Sequence, residues 1–375
     1  MTSRSGAPHS SSRLEVFLVA LRLGLTSFGG PIAHLGYFRT EYVTRRRWLD
    51  EETYADLVAL CQSLPGPTSS EVGIAIGLLR AGPLGGFLAW LGFTLPSAIL
   101  MFVMAYTLDW ILGTVGPVGR ILGLIALVVV GHAVWRMARA LAWDVRRGAI
   151  ALAAAVLALL WHEQYAPVAT IVLAGLVGWL VLPSATVSTH ALQAVPVGRS
   201  VAMLCGTLYV ALLVGLPIAA ATFASGELRL VDSFYRSGAF VFGGGHVVLP
   251  LLQNEVVPSG WITPEQFLAG YGAAQLLPGP LFTFAAYLGA LIAPGPRVGD
   301  IFAIWPPHGV IGAAIAFVAI FLPAFLVVFA ALPSWGVLRA RPWAQSALSG
   351  INAGVVGLLL AACIGLAMTA IASPR

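Results

Sequence analysis

Long apolar stretches alternate with short polar ones along almost the whole chain. The clearest apolar runs cover 84–106, 148–160, 166–182, 200–223, 309–332 and 346–371. A helix needs about 20 apolar residues to cross a hydrocarbon core about 30 Å thick. Several runs therefore predict spanning helices, and the shorter ones predict tilted or paired segments. Two places break the pattern in the same way. Residues 62–67 read Gln-Ser-Leu-Pro-Gly-Pro and residues 275–280 read Gln-Leu-Leu-Pro-Gly-Pro, both inside apolar surroundings. Proline removes an amide and clashes with the preceding turn, so each box predicts a helix interrupted at membrane depth.

Composition agrees with this reading. Of 375 residues, 59% are hydrophobic and 9% charged, with a mean hydropathy of +0.90. Soluble domains carry about 25% charged residues; the expected class is a multi-pass membrane protein. The first residues are polar and the next run carries Arg22 without a small-residue cleavage pattern, so no removable leader is expected. The 20 basic residues are all arginine, and they fall in short connectors; the net charge of +5 is no sign of nucleic-acid binding. Cys61, Cys205 and Cys363 sit in apolar runs without ligand spacing, which predicts packed thiols, no metal site and no cofactor. HExxH, GxSxG and P-loop patterns are missing, so no enzymatic activity is expected.

The two Pro-Gly-Pro boxes belong to a longer duplication. Arg22, Gly24 and Phe28-Gly29-Gly30 recur 214 positions later as Arg236, Gly238 and Phe242-Gly243-Gly244, as do Glu41 and Val43 at Glu255 and Val257. One residue then drops out: Trp48, Glu52, Gln62, Pro65, Gly66 and Pro67 recur after 213 positions as Trp261, Glu265, Gln275, Pro278, Gly279 and Pro280. Further on, an offset of 227 pairs Leu95-Pro96 with Leu322-Pro323 and Gly123 with Gly350. The chain divides into an N-terminal repeat (1–140), linking helices (141–231) and a C-terminal repeat (232–375). The predicted fold is an all-α polytopic membrane protein of two homologous repeats with discontinuous or re-entrant helices and about 10–13 helical membrane segments.

Residues 53–64 and 68–80 make two half-helices of about 18 Å each, forming either one interrupted span or a re-entrant hairpin. Irregular backbone at this depth needs protein or a wet cavity around it. Thr68 and Glu71 fit a capping box, which would aim the free amides around Thr68 and Ser69 at the middle of the protein, a ready anion site. Arg22 and Arg236 lie just upstream of the glycine boxes. A mid-membrane arginine costs about 2.5–3.5 kcal/mol, so each faces either a negatively charged substrate or a nearby interface by snorkelling. The candidate substrate-binding set is Arg22, Arg236, Gly29, Gly30, Gly243, Gly244, Gln62, Gln275, Pro65, Gly66, Pro67, Thr68, Ser69, Pro278, Gly279 and Pro280.

Alternatives stand beside several of these residues. Gln62 and Gln275 can donate to an oxyanion or satisfy the carbonyls of their own broken helices. Glu71 is either a cap or a proton carrier, and Asp56, His34 and His246 are further proton-coupling candidates. Glu41 and Glu255 lie in polar connectors, where structural pairing with Arg39 or 45–47 is expected. Arg80 and most tryptophans, Trp48, Trp90 and Trp261 among them, fit interface anchors.

Duplicated halves, each with a Phe-Gly-Gly box, a tryptophan before an acidic helix start and Gln-x-Leu-Pro-Gly-Pro, resemble the chromate ion transporter family in its two-repeat form. The resemblance implies chromate efflux across the bacterial inner membrane, driven by the proton motive force and giving chromate resistance, with halves of opposite orientation. Sulfate, a tetrahedral dianion of similar size, would compete. Position 71 is glutamate in the first half and Phe284 in the second, so any coupling role rests on one half. The connectors with Arg45 and with Arg136 to Arg147 share one side of the membrane only if 53–80 makes no net crossing; the repeats are then inverted if 148–160 does not span and parallel if it does, and the resemblance favours inverted repeats. Uptake or exchange of sulfate or another oxyanion, and an anion channel, are the competing functions. The expected surroundings are lipid and a chromate- or sulfate-like dianion, and the assembly considered is a homodimer.

Overall fold

The computed structural model describes residues 11–114, 117–161, 166–183, 197–223, 225–242, 245–292, 308–334 and 341–372. Fourteen α-helices occur among them: α1 (Ser11–Thr26), α2 (Gly30–Phe38), α3 (Glu51–Ser63), α4 (Thr68–Thr114), α5 (Pro117–Leu141), α6 (Val145–Leu160), α7 (Ala166–Val181), α8 (Arg199–Phe223), α9 (Gly226–Ala239), α10 (Val248–Val256), α11 (Pro264–Leu276), α12 (Phe284–Leu291), α13 (Gly309–Ala331) and α14 (Pro342–Ala372). No strand is present among the described residues. Four stretches are long and apolar enough to cross a bilayer, Thr68–Leu108, Arg199–Phe223, Gly309–Ala331 and Pro342–Gly365. The outward faces of α6, α7 and α8 are bare leucine, valine and methionine, the surface that lipid covers.

The helix breaks fall where the prolines put them. α3 begins on Asp50, whose carboxylate accepts from the Thr53 amide at 2.7 Å, and ends before Leu64. Its counterpart α11 begins on Thr263 in a capping box with Gln266 and ends before Leu277. α4 is itself two helices: Ala81 and Gly82 leave helical geometry, Gly82 at φ 72°. The arm 68–80 then lies against the arm that follows, because a Cβ on Gly77 would meet the Gly85 carbonyl and one on Gly85 would meet that of Gly77. In the second repeat Gly289 of α12 makes the same approach to Gly312, the counterpart of Gly85.

The second break is a hairpin. Tyr287 on α12 donates to the Gln266 carbonyl on α11 at 2.8 Å, and Phe284 meets Phe267 and Tyr271 with ring centroids 5.2 and 5.9 Å apart. A straight interrupted span would hold Gln266 and Tyr287 about 30 Å apart. The re-entrant alternative therefore holds there.

The repeats meet across a pseudo-two-fold axis. Trp90 on α4 stacks on Phe317 of α13, its own counterpart, at 5.3 Å. Phe87 reaches Phe325, centroids 6.4 Å apart, although Phe325 corresponds to Ala98, eleven positions further along. In a parallel, in-register pair, those positions would be about 16 Å apart along the axis. The contact fits helices that run in opposed directions, so the axis crosses them and the repeats are inverted. Trp90, expected at a lipid interface, is instead buried in this seam. The linking helices lie on the C-terminal repeat: α6 and α7 pack on α14, and α8 on α9 and α13. Close approach there is made by small residues, Gly178 against the Gly350 backbone and Gly357 against Ala151, as membrane helix pairs prefer.

Candidate functional site

Each Pro-Gly-Pro box is pinned to the other repeat. The Gly66 amide donates to the Val241 carbonyl at 2.7 Å, and the Gly279 amide donates to the Ser27 carbonyl at 2.9 Å. Gly66 and Gly279 are counterparts, and so are Ser27 and Val241. The contact is thus reciprocal, as a two-fold requires, and it joins both breaks to both glycine boxes. Glycine is needed at each position. Gly66 has φ 151° and a Cβ there would meet the Glu71 carboxylate and Ala324; Gly279 has φ 97° and a Cβ there would meet Ser97 and the Gly24 carbonyl.

The start of α4 is polar and buried. Thr68, Ser69, Ser70 and Glu71 are all buried. The expected capping box does not form. The Glu71 amide already bonds to the Pro67 carbonyl at 3.0 Å, which makes Pro67 the cap and leaves the Glu71 side chain too far into the helix to reach back. Both Glu71 oxygens lack a hydrogen-bond partner among the described residues. So do the buried Ser27 Oγ, Ser70 Oγ, His34 Nε2, Trp90 Nε1, Ser237 Oγ and Gln275 Nε2. Leaving a buried polar group unpaired costs about 1–3 kcal/mol each, so each of these atoms calls for a water, an ion or a functional role. His34 holds its other nitrogen, Nδ1, 3.3 Å from Ser69 Oγ, and its ring stands edge-on to Phe93 at 5.4 Å.

Other candidate residues lie elsewhere. Arg236 is buried and held by carboxylates: its Nε and Nη2 donate to Asp232 at 3.0 and 2.9 Å, and Nη2 reaches Glu255 at 3.1 Å. It therefore offers a dianion no open guanidinium. Arg22 is exposed and lines an outer cavity of about 340 Å³ with Glu15 and Arg46. A cavity of about 400 Å³ lined by Arg229, Asp232, Ser233 and Glu255 is its counterpart in the second repeat.

Gln62 is exposed at the end of α3, while Gln275 is half-buried and pairs with the Tyr271 hydroxyl. Asp56 is half-buried on α3, about 12 Å along the axis from Leu64. Gly29 and Gly30 carry φ 93° and 78° at the start of α2. Pro65 and Pro278 flank the pinned glycines, and Pro280 opens a single 3-10 turn, Leu281–Thr283. Gly243, Gly244 and the side chain of His246 lie outside the described residues.

In the connector, Glu41 accepts from Arg46 at 2.8 Å and Arg45 at 3.2 Å, as expected, and Arg46 also reaches Glu15 at 2.7 Å. Burial pushes the Glu41 carboxyl up, but the hydrogen bonds from Arg46 and Arg45 outweigh it and hold the group below its ordinary value. Glu255, by contrast, pairs with Arg236 rather than with the first connector. Arg80 and Arg46 lie over the Trp48 ring at 5.3 and 5.6 Å.

Sequence reasoning passed over Ser27, Ser97 and Ser237. A lone serine in an apolar run reads as small filler; the available signal was that Ser27 directly precedes the first glycine box.

Comparison with known proteins fits this geometry. The Chromate transporter family model matches residues 14–179, the N-terminal repeat and the linking segment into α7, and again 228–374, the C-terminal repeat. A chromate transport protein of Pseudomonas aeruginosa is 32% identical over 96% of this chain and 82% of its own length. One of Cupriavidus metallidurans is 25% identical over 99% and 87%, and an uncharacterized transporter of Methanocaldococcus jannaschii is 24% identical over 96% and 86%. No solved structure matches. Two matched repeats and relatives aligned over nearly the full chain place this protein in the chromate transporter family.

Proposed function

We propose that the protein is a secondary active transporter that exports chromate across the bacterial inner membrane, coupled to the proton motive force, and so confers chromate resistance. The observation that carries this reading is the reciprocal pinning of the two broken helices around a buried, donor-rich region that holds Glu71 with both oxygens unpartnered. Broken helices at an inverted-repeat interface are where transporters bind their cargo, and the start of the 68–80 arm favours an anion. A carboxylate there can take a proton as the dianion leaves, because two negative groups in one buried pocket repel. Arg22, at an exposed mouth, raises the local concentration of anions. Asp56 on α3 is the second place for a proton to pause. The chromate named for the relatives in Pseudomonas aeruginosa and Cupriavidus metallidurans supports the choice of substrate.

The test is accumulation of radiolabelled chromate by everted vesicles with and without an imposed proton gradient. Wild type accumulates label only when energised; Glu71→Gln loses the response to the gradient yet still exchanges internal for external chromate. Accumulation indifferent to the gradient sinks the coupling. Sulfate transported better than chromate replaces the substrate, and conductance without accumulation indicates a channel.

A further inference from the structure

The polar side chains buried at the breaks come mainly from one repeat. Ser27, His34, Ser69, Glu71 and Ser97 have as counterparts Val241, Val248, Phe282, Phe284 and Ala324. Ser70 differs, because its counterpart Thr283 keeps a hydroxyl. Thr283 Oγ donates to the Pro280 carbonyl at 2.9 Å, whereas Ser70 Oγ is buried with no partner among the described residues. The same holds for Ser27 Oγ and His34 Nε2. His34 connects these groups: its Nδ1 lies 3.3 Å from the Oγ of Ser69, the chain neighbour of Ser70, and the Ser27 backbone lies beside its imidazole.

Resting on the transport reading above, we propose that the chain carries one oxyanion site rather than two symmetric ones, with Ser27, His34 and Ser70 as its side-chain donors at the start of the 68–80 arm. Ser69 is a positioning residue that orients His34. The second repeat supplies an apolar wall, Phe282 and Phe284, both fully buried. Two hydroxyls and an imidazole N–H suit a tetrahedral dianion, which only accepts hydrogen bonds. They carry no fixed countercharge, since the nearest buried guanidinium, that of Arg236, is already bonded to two carboxylates. Such a site holds its ligand by geometry and releases it readily, as a carrier must.

The test uses the full chain purified in detergent, with equilibrium binding of radiolabelled chromate and vesicle uptake measured on the same variants. Wild type is expected to bind one chromate per chain. Ser27→Ala and Ser70→Ala each weaken binding about tenfold and raise the uptake KM with little change in maximal rate. Thr283→Val, at the corresponding position of the second repeat, retains wild-type affinity. Ser69→Ala weakens binding in the wild-type background and has no further effect on His34→Gln, which a merely structural role would not produce. Two chromates per chain, or wild-type affinity in the Ser27→Ala/Ser70→Ala double variant, overturns the assignment while leaving the transport reading intact. A wild-type chain that neither binds nor moves chromate, molybdate or sulfate overturns both.

Discussion

The Gly66 amide donates to the Val241 carbonyl at 2.7 Å, and this bond ties the break in one repeat to the glycine box of the other. Its mirror, from Gly279 to Ser27, closes the arrangement at 2.9 Å. Neither bond can form unless both helices stop where they do, so the two expensive interruptions support each other.

Glycine at these positions is the first thing to test. Gly66→Ala drives a methyl into the Glu71 carboxylate, and Gly279→Ala drives one into Ser97, both at positive φ. Backbone strain and overpacking together predict a loss of about 2–4 kcal/mol, read as a drop in thermal unfolding temperature in detergent. Ser97→Gly added to Gly279→Ala is expected to recover part of the loss. No recovery would assign the whole effect to the backbone.

Arg22 and Arg236, counterparts in sequence, should behave differently. Arg236→Gln strands Asp232 and Glu255 in the interior and is expected to cost about 3–5 kcal/mol. Arg22 is exposed, and Arg22→Gln should change stability by less than about 0.5 kcal/mol. Denaturation of both variants side by side decides the point; equal losses would contradict the ion-pair account.

Glu41 sets a pH dependence. Its carboxyl is held below the ordinary value by Arg46 and Arg45 against the opposing effect of burial. A depressed folded value means the stabilisation is complete above the ordinary carboxylate range, whose reference is 4.5, and fades as pH falls below it. Unfolding temperature across acid pH should fall more steeply for wild type than for Glu41→Gln. Superimposed curves would show that Glu41 contributes nothing to this slope.

The linking helix α8 can be located chemically. A Cβ on Gly206 would lie 3.6 Å from the Ala330 Cβ on α13, within the separation a disulfide accepts. With Cys61, Cys205 and Cys363 replaced, Gly206→Cys/Ala330→Cys should form an intramolecular bond under mild oxidation, detected by a mass shift after alkylation. Failure to cross-link would detach α8 from the C-terminal repeat.

Much of the architecture was readable because rigid residues carry it. Proline fixed both breaks, and rare residues kept the register of the duplication: the offsets of 214 and 213 relate the two reciprocal bonds, Gly66 to Val241 and Gly279 to Ser27, and the offset of 227 relates the stacked pair Trp90 and Phe317. The choice between an interrupted span and a hairpin needed the Tyr287–Gln266 bond, a contact over 21 positions that no local pattern encodes. The Thr68–Glu71 motif misled because a cap depends on where the helix starts, and the Pro67 carbonyl starts it one residue earlier. Asp232, four positions before Arg236, was a visible ion-pair spacing; its weight became clear only once burial was known. The solitary serines were opaque because a hydroxyl in an apolar helix usually bonds its own backbone, as Thr94 does to Trp90 at 2.7 Å.

Trp90 stacks on Phe317, its own equivalent, and Glu71 answers to Phe284. Were the halves identical, any shape the molecule adopts and the shape obtained by exchanging the roles of its halves would be degenerate, and it would visit both equally. Unlike side chains at and beside the axis lift that degeneracy. Two arrangements related by exchanging the halves would therefore differ in energy where perfect duplication would give a tie, and the difference is written in the positions where the two copies have diverged.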